Sequence, residues 1–222
     1  ETMIDIISTP LTVILSGFAI AKFVGPSINM MMVGLGDVII EATKLRPFFM
    51  GMVVSLIVGM VLTLPISSAA LCMMLSLSDL AAGAATAGCC AQMVGFAVIS
   101  YRVNKVDGLL AQGLGTSMLQ IPNIVKNWKI WLAPCLASVI TGPIATCVFK
   151  LKNTSLGAGM GTSGLVGILE TFNAMEGEDM MVTALGVALT YVILPAVLSL
   201  LFHNLFKKMN LVKDEDLYLN LK

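Results

Sequence analysis

The sequence predicts an all-α, polytopic membrane protein in which two short glycine-rich segments form an internal repeat. Three observations carry that reading. Of the 222 residues, 57% are apolar and only 12% are charged, about half the charged share of a soluble domain. The charges are gathered into clusters that leave uncharged runs at 47–78, 80–101, 108–125, 130–149, 153–169 and 180–206. A helix needs roughly 20 apolar residues to cross a bilayer. Finally, residues 111–117 (AQGLGTS) and 157–163 (GAGMGTS) fit one pattern, offset by 46 positions.

This composition excludes a disordered chain, which needs low hydrophobicity and high net charge. It excludes an ordinary soluble enzyme, because 13 basic and 13 acidic side chains cannot cover the surface of one. The net charge of zero offers no basic surface to nucleic acid. No basic stretch precedes the apolar residues 11–21, so no signal-peptide pattern is present. The five cysteines (72, 89, 90, 135 and 147) all fall in apolar runs and read as small buried apolar residues. With His203 as the single histidine, no spacing supports zinc.

Along the chain, residues 6–21 are uncharged but interrupted by Pro10, which makes a marginal span. In 27–43, Asp37 and Glu41 share one helix face. This segment reads as an interfacial amphipathic helix; the alternative is that the two carboxylates line a proton or cation path. The expected organisation is a membrane permease domain over 1–206 and a cytoplasmic tail over 207–222. Within the domain, 6–43 is the marginal span plus interfacial helix, and 48–206 is a helical bundle.

The run 48–77 is too long for one simple span, and Pro65 predicts a kink or a break before a shorter helix. Thr63, Ser67 and Ser68 sit there, either capping backbone groups or facing a solute. The run 80–101 is rich in Ala, Gly and Cys, so it is expected inside the bundle, with Gln92 making an interhelical hydrogen bond. Tyr101, Trp128 and Trp131 beside Arg102, Lys126 and Lys129 predict an interfacial aromatic belt. Pro134 and Pro143 predict a bend in 130–149, and Pro195 interrupts the last span.

Between Lys152 and Lys207 the sequence holds Glu170, Glu176, Glu178 and Asp179 but no Lys or Arg. That loop is expected outside, with Lys207, Lys208 and Lys213 placing the end of the chain in the cytoplasm. Residues 108–125 and 153–169 either cross or re-enter, and charge counting does not choose between them.

Each repeat copy predicts a loop-to-helix turn. Gly-x-Gly permits positive φ and close backbone approach, and Thr-Ser suits a helix start. Paired interrupted segments in a transporter point to its solute site. The expected solute-binding set is Gln112, Gly113, Gly115, Thr116, Ser117, Gly159, Gly161, Thr162, Ser163 and Glu170, flanked by Gln120 and Asn123. The competing reading is that these small residues only allow tight helix packing. Glu170 either meets a solute hydroxyl, carries a proton, or opens the acidic loop. No catalytic residue, metal ligand or cofactor is assigned.

TLPISSAA (63–70), LAAGAATAGCCAQMVGFAV (80–98), GLGTSMLQIPNIVKN (113–127) and GAGMGTSGLVG (157–167) resemble the enzyme IIC type 2 family of the phosphotransferase system. That family includes PfoR-type toxin regulators, and the likeness covers roughly 45–206. It implies a bacterial inner-membrane permease for a sugar-like polar solute. Separate IIA and IIB subunits would carry phosphate, and the lipid bilayer and a second copy of the chain are further partners. It also implies further N-terminal segments, so a chain beginning at Glu1 is expected to lack the first part. Two other functions remain open, the first from the residues and the second as what the PfoR likeness implies. One is an ion-coupled secondary transporter using Asp37, Glu41 or Glu170. The other is a membrane sensor acting on gene expression through a partner.

Overall fold

A computed structural model describes residues 5–220. Among the described residues every regular element is helical, and four helices are long and apolar enough to cross a membrane. The chain is an all-α polytopic membrane protein. It divides into two units, Glu1–Val38 and Ile39–Lys222.

Helix α1 (Asp5–Thr43) is one element of 39 residues. The helix runs unbroken through Pro10 and Pro26, so the segments read from the sequence as a marginal span and an interfacial helix lie on one continuous helix. Each proline removes one amide donor, whereas a break in lipid would strand several backbone groups at once. At 1.5 Å per residue the helix extends about 58 Å, nearly twice the hydrocarbon thickness.

In the second unit, α2 (Pro47–Thr63) stops where Leu64 turns extended. The chain restarts as α3 (Ser68–Met74), whose first turn is capped by the Ser67 hydroxyl accepting from the Ala70 amide at 3.2 Å. Pro65 therefore marks a break. Helix α4 (Asp79–Ile99) is the centre of the bundle and is buried along most of its length. It packs against α2, α7 (Leu132–Pro143) and α11 (Leu194–Lys208).

Small residues set those spacings. A Cβ on Gly88 would lie 1.8 Å from the Ser55 carbonyl oxygen, and one on Gly142 would lie 2.1 Å from that of Gly51. No side chain larger than hydrogen fits at either crossing. The α2–α7 seam is tied by the Ser55 hydroxyl donating to the Ser138 carbonyl at 2.7 Å.

The two proline-bearing spans are interrupted by wide π turns. One, Ile144–Val148, follows Pro143. The other, Ala188–Ile193, joins α10 (Met180–Val187) to α11 and holds the fully buried Tyr191. Cys72, Cys89 and Cys90 are buried, but Cys147, in the first of these turns, is exposed.

The two repeat regions are fragmented. After α5 (Tyr101–Leu110), residues 111–126 form a π turn, a 3₁₀ turn and the short α6 (Ile121–Lys126). Residues 155–174 form the short α8 (Ser155–Ala158), a 3₁₀ turn and α9 (Val166–Ala174). Neither region makes a helix long enough to cross.

The segment after α11 belongs to the stretch read from the sequence as a tail. It folds back onto the bundle, with Val212 and Leu217 in one apolar cluster with Phe96, Ile99, Ile124 and Ile130. Asn104 donates to the Leu217 carbonyl and accepts from the Leu219 amide, both at 2.8 Å. Asp214 gathers Arg102 at 3.5 Å, His203 at 3.3 Å and the Lys207 ammonium. Partial burial acts to raise the Asp214 pKa, but the hydrogen bonds and charges of Lys207 and His203 outweigh it and hold the carboxyl below its ordinary 3.8.

Two outcomes follow. Gly88→Ala is expected to cost about 3 kcal/mol through overpacking, read as a lower melting temperature in detergent. Gly34→Ala, where an added Cβ meets nothing within 4 Å, should match the parent. Because the folded pKa of Asp214 is depressed, its stabilising contribution is present above the ordinary carboxylate range and is lost as pH falls through the folded value. A melting-temperature titration should show that acid loss, and Asp214→Asn should remove its share.

Candidate functional site

The first Gly-Thr-Ser turn is built by a change of helix type. The π turn Ala111–Gly115 ends at Thr116, which is extended (φ −159°) and donates its amide to the Ala111 carbonyl at 2.9 Å. The Thr116 hydroxyl accepts the Met118 amide at 3.1 Å and so caps the 3₁₀ turn Ser117–Gln120. This is the capping role expected of a Thr placed after the glycines.

Ser117 is fully buried, with its hydroxyl 2.9 Å from that of Thr63. Thr63 donates to the Gln92 carbonyl oxygen at 3.3 Å, and the Trp131 indole donates to the same oxygen at 3.0 Å. Gln92 thus makes the interhelical bond expected of it. Trp131 is only half-exposed and turns its N–H inward, so of the predicted belt only Tyr101 and Trp128 are exposed. Gln112 is fully buried, donating to Ser100 Oγ at 2.8 Å and to the Gly108 carbonyl at 3.0 Å, and accepting from Gln120 at 2.9 Å.

The second copy has the same letters and a different backbone. Gly159 lies under the start of α3, where the Ser68 hydroxyl donates to its carbonyl at 2.6 Å. Gly161 has φ +55°, and a Cβ there would meet Cys89 Cβ at 2.8 Å and the Cys89 carbonyl carbon at 2.9 Å. Glycine is required at this position both by conformation and by space. Leu165 follows in the left-handed region at φ +61°, a conformation costly for a branched side chain.

The two copies meet. The Thr162 hydroxyl donates to the Gly113 carbonyl at 2.5 Å and approaches Met93 Sδ at 3.5 Å. Two motif copies offset by 46 positions thus touch across the bundle, through residues 49 apart, with α4 behind both. Ser163 is half-buried beside this contact, and Gly115 is exposed, with open space where a side chain would go.

Glu170, on α9, accepts the Thr154 hydroxyl at 2.6 Å and the Asn173 amide at 3.0 Å. It bonds to none of the motif hydroxyls among the described residues. Glu41 is exposed and paired with Lys44 at 2.5 Å, and Asp37 is exposed. No group of three His, Cys, Asp or Glu side chains that could hold a metal occurs among the described residues.

Sequence reasoning missed a buried polar knot behind the second motif. Asn153 donates to Thr86 at 2.7 Å, the Gly167 carbonyl at 2.9 Å and Thr171 at 3.0 Å, and accepts the Thr154 amide at 2.7 Å. Thr171 in turn lies 3.2 Å from the Tyr191 hydroxyl. The one visible clue was four hydrogen-bonding side chains in or beside otherwise apolar runs. Also missed was the cavity beside the first motif, about 590 Å³, lined by Thr116, Met118, Leu119, Pro122, Asn123 and Lys126 on one side and by Tyr218, Leu219 and Asn220 of the folded-back segment on the other.

The site is therefore charge-free at its centre, hydroxyl-rich, and made from two interrupted segments. The family model described as phosphotransferase system, EIIC, matches residues 1–219. No curated protein matches the chain, and no solved structure does. The match spans nearly the whole sequence, and with the apolar helices it makes the protein an inner-membrane permease subunit. The chain belongs to the phosphotransferase-system EIIC family.

Proposed function

We propose that this permease subunit translocates a small, uncharged, hydroxyl-rich solute, a sugar, and that its phosphate comes from separate IIA and IIB subunits. One observation carries the reading: the two Gly-Thr-Ser turns abut through Thr162 and the Gly113 carbonyl. Runs 108–125 and 153–169 bring no charged side chain to that contact. A charged substrate would need a countercharge in this low-dielectric setting, whereas a polyol is matched by amides, carbonyls and hydroxyls. Paired interrupted segments are where transporters of this build hold their solute.

In this proposal Gly115, Thr116 and Ser163 meet the solute from half-exposed or exposed positions. Gly113 and Thr162 fix the two turns against each other. Gln112, Ser117, Gly159 and Gly161 hold the backbone, and Glu170 orients α9 through Thr154. The basic cluster Lys207, Lys208 and Lys213 lies in the cytoplasm and the acidic loop Glu176–Asp179 outside. Dimerisation and a PfoR-like regulatory output belong to the same proposal as properties of the assembled system.

Thermal-shift measurements on purified protein with hexoses, polyols and organic acids test the reading. Sugar-specific stabilisation is expected. Thr162→Val should weaken it about tenfold, the equivalent of one lost buried hydrogen bond. Stabilisation by organic acids alone, or uptake into proteoliposomes driven by an ion gradient without a phosphate donor, would overturn it.

A second pair separates site from scaffold. Gly115→Leu should keep the melting temperature while reducing uptake at least tenfold. Gly161→Leu should fail to fold, because its left-handed φ and its contact with the Cys89 backbone leave no room. A folded Gly115→Leu protein with unchanged uptake would remove the first motif from the site.

A further inference from the structure

The segment after α11 is held more firmly than its composition requires. Side-chain amides from three places reach its backbone. Asn104 binds Leu217 and Leu219, Gln120 donates to the Leu217 carbonyl at 3.1 Å, and Asn123 donates to the Tyr218 carbonyl at 2.9 Å. Asn127 adds a bond to Asp216 Oδ2 at 2.8 Å. Leu217 is fully buried. The Gln120 amide that holds Leu217 also donates to Gln112, so the segment is wired directly into the first Gly-Thr-Ser turn.

The same segment forms one wall of the 590 Å³ cavity whose opposite wall is Thr116, Asn123 and Lys126. That volume suits a mono- or disaccharide-sized ligand. Removing residues 218–220 would take away that wall and widen the approach to Thr116. Most of these restraints are buried side-chain-to-backbone bonds, joined to the apolar seat of Val212 and Leu217 and to one ion cluster at Asp214, so the segment is held as a unit.

We infer that this cavity is a mouth of the solute path and that residues 211–220 are its gate, closed in this structure. The identity of the solute rests on the function proposed above; the gating does not. In the closed state the segment narrows the approach to the half-buried Thr116 and fixes the first turn through Gln120 and Gln112. Release frees both together.

The test uses the full chain in detergent, with Cys147→Ser to remove the exposed thiol and Thr116→Cys as reporter, labelled by a membrane-impermeant maleimide. Asn104→Ala combined with Asp214→Asn cuts restraints that lie away from the cavity. A chain ended after Asn210 is the second variant. Trypsin cleavage at Lys213 reports release in the first variant. Labelling is expected to rise about tenfold in both, with Cys89 and Cys90 still unlabelled. The inference is overturned if cleavage accelerates while labelling does not, if the shortened chain labels no faster than the parent, or if labelling rises only together with Cys89 and Cys90, which marks unfolding. No sugar enters this assay. A thermal-shift panel that finds no sugar ligand would therefore defeat the proposed substrate and leave the gate standing.

Discussion

The contact between the Gly88 region of α4 and the Ser55 carbonyl of α2 is the constraint on which the rest of the bundle depends. Lipid tails give helices no hydrophobic reason to associate, so close backbone approach and polar bonds must do it. At a crossing where an added methyl would sit 1.8 Å from a carbonyl oxygen, the two helices have a single separation and register. Everything placed on α4 inherits that register. Gln92 reaches Thr63 and Trp131, Thr86 reaches Asn153, Met93 reaches Thr162, and Cys89 sets the ceiling over Gly161.

Because charge is excluded from the centre, the interior is organised by neutral hydrogen bonds. Each buried amide is used nearly to capacity: Asn153 with four partners, and Gln112 and Gln120 in a chain that ends on a main-chain carbonyl. In a medium of low dielectric an unsatisfied member of such a chain costs more than a satisfied one contributes. The knots therefore specify geometry more than they add stability. The same economy explains why the two motif turns join by a hydroxyl and a carbonyl and involve no ion pair.

Much of this was readable before the structure. Uncharged runs located the long helices, Pro65 located the break between α2 and α3, and the small-residue run 80–101 identified the buried central helix. The repeat could be read as letters, and its two copies do touch. What could not be read was anything decided by packing at a distance. Nothing local in 207–222 distinguishes a solvated tail from one held by Asn104, Gln120 and Asn123, since the holding groups lie about a hundred positions upstream. Nor does local sequence show that α1 continues through Pro26, because that outcome depends on the cost of broken backbone bonds in lipid. The candidate site was legible as a place and not as a division of roles: Gln112 and Ser117 looked equal to Thr116, yet they are fully buried and Thr116 is not.

The repeat is symmetric in sequence and unequal in compliance. In the first copy, Gly115 faces open space and a Cβ added to Gly113 would meet only the Ala97 methyl, at an ordinary 3.5 Å. In the second, Gly159 is pressed against the main chain of Ser68 and Ala69 and Gly161 against that of Cys89 and Cys90, and a further glycine, Gly167, packs on the carbonyl of Gly161 at 2.3 Å from its missing Cβ. A displacement of the first turn meets side chains that can yield, whereas one of the second meets backbone that cannot. Two copies that began as equivalent letters have become a fixed jaw and an adjustable one, and the hydroxyl of Thr162 is the joint between them.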